Sequence, residues 1–434
     1  VANNDVHPTL IQLAAQLAAG ETTSVELTRR ALEAARASDN LFITVDEAGA
    51  LRAAGESDAR RAAGELRGAL DGIPTAVKDV IDTAGLRTTM ASEFFRDNVP
   101  ERDAFIVTRL REAGAVIVGK TNAQEFSYGI RGDVGAFGVV RNPFDSERVP
   151  GGSSSGSAAA VATGVVSFAV GSDTAGSIRL PAALCGVVGL KPTLGLIDTT
   201  GAFPLSDAFD TLGFFATTAD DIAVVMEATG LLGGADAQVA RFLALEDVRA
   251  KVVDAPAGVP HDRVVAQLGA EASRLPQLDG SDIDYAELYR IVRSREAYDL
   301  HAERARTAPE KFQPKILENV LAGRDVTDAE VVAAEAEIER VRGLFDATFA
   351  EGEVLISPSS PILAPRFTDP GPSRELASMT NIWNVLGWPA IAVPMRVDGC
   401  ALPQSVQLIA RPGQETLLLR AAAVVDSASL PASV

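Results

Sequence analysis

The chain has 434 residues, 47% of them hydrophobic and 22% charged, and reads as a globular protein long enough to bury at least one large core. Asp and Glu total 58 against 39 Lys and Arg, a net charge of −19 that argues against nucleic acid or an anionic membrane surface as a partner. Cys185 and Cys400 stand far apart in apolar settings, and no CxxC, His-x-His or HExxH spacing occurs, so neither a disulfide framework, a metal site nor a cofactor is expected and the compartment is read as cytoplasmic.

Residues 1–20 lack a basic leader before their apolar positions and do not read as a signal peptide. Thr23-Ser24-Val25-Glu26 is a capping box that opens a helix running to about residue 37. Residues 75–81 alternate as a strand, which sets Ala76, Lys78 and Val80 on one face and Val77, Asp79 and Ile81 on the other. A lysine sharing a face with alanine and valine is either snorkelling at the sheet's end or buried. Residues 103–113 form a predicted helix stopped by Gly114, 115–118 a buried strand, 157–163 a helix closed by Gly164, and 165–170 a further strand. The low-polarity run 158–171 is interrupted by Thr163, Gly164 and Ser167 and falls short of the about 20 residues that span a bilayer. Over residues 231–350 strands fade and charged amphipathic helices such as 329–349 dominate, which reads as an elaboration packed on the sheet. Strand-like segments return in VLISPSSPILAP and WPAIAVPM. Helix and strand taking turns implies an α/β protein whose mixed, mainly parallel sheet is covered on both faces.

Three motifs compete for the chemistry. GAVIVGKT, residues 114–121, fits the P-loop pattern in its letters, but its four intervening residues are the strand itself, so no loop is left to curl around phosphates. GSSSG, residues 152–156, fits the hydrolase elbow, yet the preceding RNPFDSERVP is no buried strand, and His301 lies in a charged helical stretch, so a serine–histidine triad is weakly supported. The third, GSDTAGSIR at 171–179, follows the strand VVSFAV directly. A tight turn of small residues there can aim successive amides at one point, as an oxyanion hole requires, or it can be an ordinary turn in which Asp173 bonds its own backbone.

Taken together, GIPTAVKD (72–79), GKTNAQEF (119–126), PGGSSSGSAAAVA (150–162), GSDTAGSIRLPAALCGVVGLKPT (171–193) and GAFPLSDAFDTLG (201–213) resemble the amidase signature family. The resemblance is strongest over about residues 68–228 and weaker through SVELTRRALEAA upstream and SPSSPILAP, WPAIAVPM and LPQSVQLIARPG downstream. It implies a single amidase domain over 1–434, with the 231–350 segment as a helical insertion. It implies further that Ser177 is the nucleophile, Ser153 a bridging serine joined to Gly152 by a cis peptide, and Lys78 the base. The backbone N–H groups of Thr174, Ala175, Gly176 and Ser177 would form the oxyanion hole, leaving Ser154 and Ser155 as helix-capping and turn residues. Ser127, Tyr128 and Gly129 fall where the family's acyl pocket begins; Tyr128 either lines it or is a half-buried strand-end tyrosine. Trp383 and Trp388 either wall the same pocket or fill core, with core favoured, and Arg290, Arg293 and Arg295 either meet a substrate carboxylate or form a solvated helix face, with the solvated face favoured.

Where members of the family carry two glycines before the nucleophile, this chain has Ala175-Gly176, and the alanine methyl would matter if that position needed a positive φ. The activity implied is hydrolysis of a small-molecule amide, anilide or carbamate through a seryl acyl-enzyme, by a free-standing enzyme or a homodimer. The alternative is the amidase subunit of a tRNA-dependent amidotransferase, against which the acidic balance and the divergent 231–350 segment count.

Overall fold

The computed structural model describes residues 7–232, 238–369 and 373–427; the first six residues of the amino-terminal segment and residues 233–237 of the 231–350 segment lie outside them. The helix Ser24–Ala37 begins as its capping box dictates, with the Glu26 N–H donating to Thr23 Oγ1 at 3.1 Å and the Thr23 N–H to the Glu26 carboxylate at 3.0 Å. Eleven strands follow in chain order: β1 (Phe42–Val45), β2 (Pro74–Lys78), β3 (Val116–Thr121), β4 (Phe168–Asp173), β5 (Val188–Lys191), β6 (Thr211–Ala216), β7 (Arg241–Leu245), β8 (Glu271–Ser273), β9 (Glu353–Pro358), β10 (Ala390–Met395) and β11 (Gln404–Ile409). They form one sheet in the order β1-β3-β2-β4-β6-β5-β10-β11-β9-β7-β8.

The α/β class and the mixed sheet agree with the sequence reading, but the mainly parallel expectation does not. Six of the ten strand pairings are antiparallel, because β4, β6, β5, β10 and β11 pair in succession with alternating direction. Parallel pairing is confined to β3-β2-β4 and to β8-β7-β9. A second correction concerns residues 231–350, which supply β7 and β8 and so extend the sheet's edge as well as packing helices on it. The signal is present in RFLAL, whose Leu243, Ala244 and Leu245 are buried, but it is too short to outweigh the helical periodicity around it.

Pleating sends alternate residues into two cores on opposite faces. Phe168 and Val170 of β4 join Val77, Leu190, Phe214 and Ile391 on one face, whereas Ala169 joins Ala76, Val118, Phe215 and Ala392 on the other. Onto that second face Ala158, Ala159 and Ala160 bring the helix Ser155–Ala162. A third cluster buries Trp383 and Trp388 against Phe345 of the helix Asp328–Thr348 and against Phe349, so both tryptophans are core, as read from the sequence. Among the described residues no helix is long and apolar enough to cross a membrane, and no group of His, Cys, Asp and Glu is arranged to hold a metal.

Candidate active site

β2 and β4 are parallel neighbours, with Val77 opposite Val170, so their carboxyl-terminal ends, at Lys78 and at Asp173, open toward the same end of the sheet. Open α/β sheets gather their chemistry outside such ends. The strand expected over 75–81 ends at Lys78, and Lys78 is fully buried, which decides against snorkelling. Its Nζ donates to Ser153 Oγ at 2.7 Å and to Ser172 Oγ at 2.8 Å. Burial drives the amine's pKa down to about 7, against the opposing pull of the Asp210 and Asp173 carboxylates. Ser172 stands outside the residues expected from sequence; its position at the end of β4, beside β2, is the signal that could have found it.

Ser153 precedes the helix Ser155–Ala162, and the Gly152–Ser153 peptide is cis. The serine block is fastened to its neighbours residue by residue. Ser154 takes the N-cap position but does not cap: its hydroxyl donates to the Ser172 carbonyl at 3.0 Å. Ser157 donates to the Val170 carbonyl at 2.9 Å and shares a 2.7 Å hydrogen bond with Thr121. The capping role expected of Ser154 is therefore corrected, since a strand carbonyl beside it offers its hydroxyl a buried acceptor. Ser177 lies between β4 and the helix Arg179–Cys185, and its carbonyl accepts the Ser154 N–H at 3.3 Å. No hydrogen bond joins the Ser177 hydroxyl to Ser153 among the described residues.

The turn at 174–177 is set by Asp173. Its carboxylate accepts the Gly176 N–H at 2.7 Å and the Ile178 N–H at 3.1 Å, and it pairs with the Arg179 guanidinium at 3.0 Å, both side chains fully buried. Burial alone would raise its pKa; the Arg179 charge and hydrogen bonds together with Asn384 hold it well below the usual carboxylate range. Arg179 is tied in turn to the Thr380 carbonyl at 2.9 Å, Asn384 Oδ1 at 2.6 Å and Gln407 Oε1 at 3.3 Å. The Gly176 amide is thus engaged by Asp173 and is removed from the expected set of oxyanion donors. The N–H groups of Thr174, Ala175 and Ser177 donate to no protein acceptor among the described residues. Gly176 has φ +124, and a Cβ there would lie 2.3 Å from Thr380 Oγ1. Ala175 is not among the positive-φ residues, so its methyl is tolerated and only the second glycine of the pair is required.

Asp210, in GAFPLSDAFDTLG, accepts Thr174 Oγ1–H at 2.6 Å and the Leu205 N–H at 2.7 Å, and burial raises its pKa. Tyr128 is buried rather than half-exposed, donating to the Asn319 carbonyl at 2.9 Å and accepting from Arg293. Its segment is laced to the serine block: the Gln124 N–H donates to the Ser153 carbonyl at 3.0 Å and the Gly152 N–H to the Ile130 carbonyl at 2.8 Å. Ser127 has φ +60 and a buried hydroxyl without a partner, and Gly129 has φ +149. The competing motifs fall away on geometry. Lys120 of GAVIVGKT is buried in β3 and donates to the Ile81 carbonyl and to Thr83 Oγ1. His301 is enclosed by Phe126, Phe203 and Phe312, with both ring nitrogens unpartnered and its pKa driven down to about 3 by burial.

The Amidase family model matches residues 23–259 and 261–419. The chain belongs to the amidase family. As an amidase it is an enzyme of C–N bonds, and its neighbours among solved structures agree. It is 33% identical over 464 residues to a glutamyl-tRNA(Gln) amidotransferase subunit of Agathobacter rectalis, covering 95% of this chain and 92% of that protein. It superposes with TM-score 0.91 at 31% identity on a chain from a structure described as an unexpected vestigial protein complex that reveals the evolutionary origins of an s-triazine catabolic enzyme, covering 98% and 99% of the two. The native peptide amidase of Stenotrophomonas maltophilia follows at TM-score 0.80 and 28% identity, over 97% of this amidase and 96% of that chain. The curated relatives side with the amidotransferase reading more than with the free-standing one.

Proposed function

We propose that this amidase opens a small-molecule C–N bond through an ester on Ser177, with Lys78 as base and Ser153 as the hydroxyl between them. The observation that carries this reading is the buried Lys78 Nζ, 2.7 Å from Ser153 Oγ with a pKa near 7. A neutral amine has two N–H donors and one lone pair. It can hold Ser172 Oγ with a donor and accept the Ser153 proton on the lone pair. Ser153 then takes the Ser177 proton as Ser177 Oγ attacks the amide carbon, a contact that tightens once substrate is bound. The free N–H groups of Thr174, Ala175 and Ser177 receive the developing oxyanion; one such donor contributes about 2.7–4 kcal/mol in comparable sites. Collapse breaks the C–N bond, and Ser153 returns a proton to the leaving nitrogen. Water enters by the same relay in reverse, releases the acid and restores Ser177. Acid-quenched mass spectrometry after mixing with aryl amides, primary amides, carbamates and allophanate tests this. An acyl adduct on the peptide holding Ser177 is expected, and an adduct elsewhere, or turnover surviving in Ser177→Ala, overturns the assignment.

A second reading is that the same chemistry serves within a tRNA-dependent amidotransferase, as its amidase subunit. The name of the Agathobacter rectalis relative supports it, and the complex in which the s-triazine-related chain was solved supports a partner protein. Ammonia release from glutamine, together with gel filtration of the chain alone and with candidate partners, separates this from a free-standing amidase or a homodimer.

A further inference from the structure

The helix Tyr285–Thr307 carries three arginines that fare differently. Arg290 pairs with Glu287 at 2.6 Å, and Arg295 with Asp299 at 2.9 Å and Asp328 at 2.7 Å, which fits the solvated face expected of them. Arg293 departs from that expectation. Its guanidinium lies 4.6 Å from the centroid of Tyr128 and 5.2 Å from that of Tyr289, and it donates to the Tyr128 hydroxyl. Its Nε is buried with no hydrogen-bond partner, and no carboxylate pairs with it among the described residues.

Its position is informative. Tyr128 belongs to the segment laced to Ser153, and Tyr289 lies within electrostatic reach of Asp210 and Asp173, which flank Thr174. Those two carboxylates are already committed, Asp173 to Arg179 and Asp210 to Thr174, Leu205 and Ser206; Glu296 on the same helix is taken by Ser206 and Ala208. A planar fork of donors, stacked on two tyrosines and only partly satisfied, is built for a carboxylate.

We propose that Arg293 is a specificity-determining residue that receives a carboxylate on the acyl portion of the substrate, so that the preferred substrates are monoamides of dicarboxylic acids, glutamine among them, over neutral amides. The inference rests on the acyl-enzyme reading above and names its substrate class. The test compares kcat/KM for malonamate, succinamate and glutaramate with that for neutral amides of equal chain length, in the wild type, Arg293→Lys and Arg293→Met. A wild-type preference of at least about tenfold for the anionic member is expected, the size of one charge-assisted hydrogen-bond pair. That preference should be retained in part by the lysine variant and fall to near unity in the methionine variant, through KM. Equal rates on both classes in a Ser177-dependent wild type overturn the inference and leave the acyl-enzyme reading standing. Absence of Ser177-dependent turnover overturns that reading instead. Calorimetric binding of glutarate to Ser177→Ala then decides this one: affinity lost on adding Arg293→Met upholds it, and affinity unchanged overturns it.

Discussion

Lys78 Nζ and Ser172 Oγ lie 2.8 Å apart across two parallel strands, so the amine is held by the strand beside its own as well as by Ser153. In the proposed relay Ser172 takes one N–H of the neutral amine and leaves its lone pair to Ser153.

Lys78→Met keeps an unbranched side chain and removes the proposed base. A fall in kcat of about 100- to 10,000-fold is expected for loss of a positioned base, with the far-ultraviolet dichroism of the wild type. Steady-state rates on any amide that the wild type cleaves check it, and an undiminished rate would remove Lys78 from the proton path.

The amine at about 7 predicts a kcat/KM that rises with slope one below neutrality and flattens above it, as the neutral form fills. Lys191, also driven to about 7 by burial, does not touch the serines, so Lys191→Met should leave that limb in place. The sign for stability follows from the same shift. A lysine whose folded pKa lies below its unfolded value binds fewer protons when folded, so stability rises with pH between about 7 and the ordinary lysine value of 10.5 and is flat below that window. Chemical denaturation at stepped pH measures it.

Ser177→Ala should abolish turnover, and Ser153→Ala should lose most of it while remaining folded, since only one hydrogen bond from Lys78 goes with the hydroxyl. Their thermal midpoints should lie close to the wild type's. A Ser153→Ala enzyme of normal rate would make Ser153 a spectator.

Gly176→Ala places a methyl on a residue with φ +124, against Thr380 Oγ1. About 1–3 kcal/mol of backbone strain is expected, before any repacking around Thr380. Ala175→Gly carries no such demand, and a thermal melt of the two variants side by side should show the first lowered and the second near the wild type.

Arg179→Met strands Asp173 in the core without its cation. Breaking a buried pair in this way costs about 3–5 kcal/mol, and the carboxyl, freed from the guanidinium, would titrate at higher pH. Urea unfolding should show the loss, growing as pH rises and the orphaned carboxylate ionises.

What can be read from the sequence is local. The capping box at Thr23, the helix stop at Gly114 and the strand carrying Lys78 are written in neighbouring residues, and so is the serine block. Pairing direction is not, because β10 and β11 meet β5 and β9 through contacts that no short window contains. The same holds for the site: Lys78, Ser153 and Ser177 lie in motifs, but Asn384 and Gln407 reach Arg179 from more than 200 positions away. Arg179 itself has a signal, a lone charge followed by the apolar run LPAALC. Arg293 has none, since its difference from Arg290 and Arg295 lies wholly in which partners surround it.

The Arg179 anchorage also has a bearing on biosynthesis. Its acceptors at Thr380 and Gln407 leave a ribosome 201 and 228 positions after Arg179, and so well after the serines. A nascent or truncated polypeptide ending before them carries Lys78, Ser153 and Ser177 yet lacks the clamp on Arg179, so such a fragment is expected to be hydrolytically inactive.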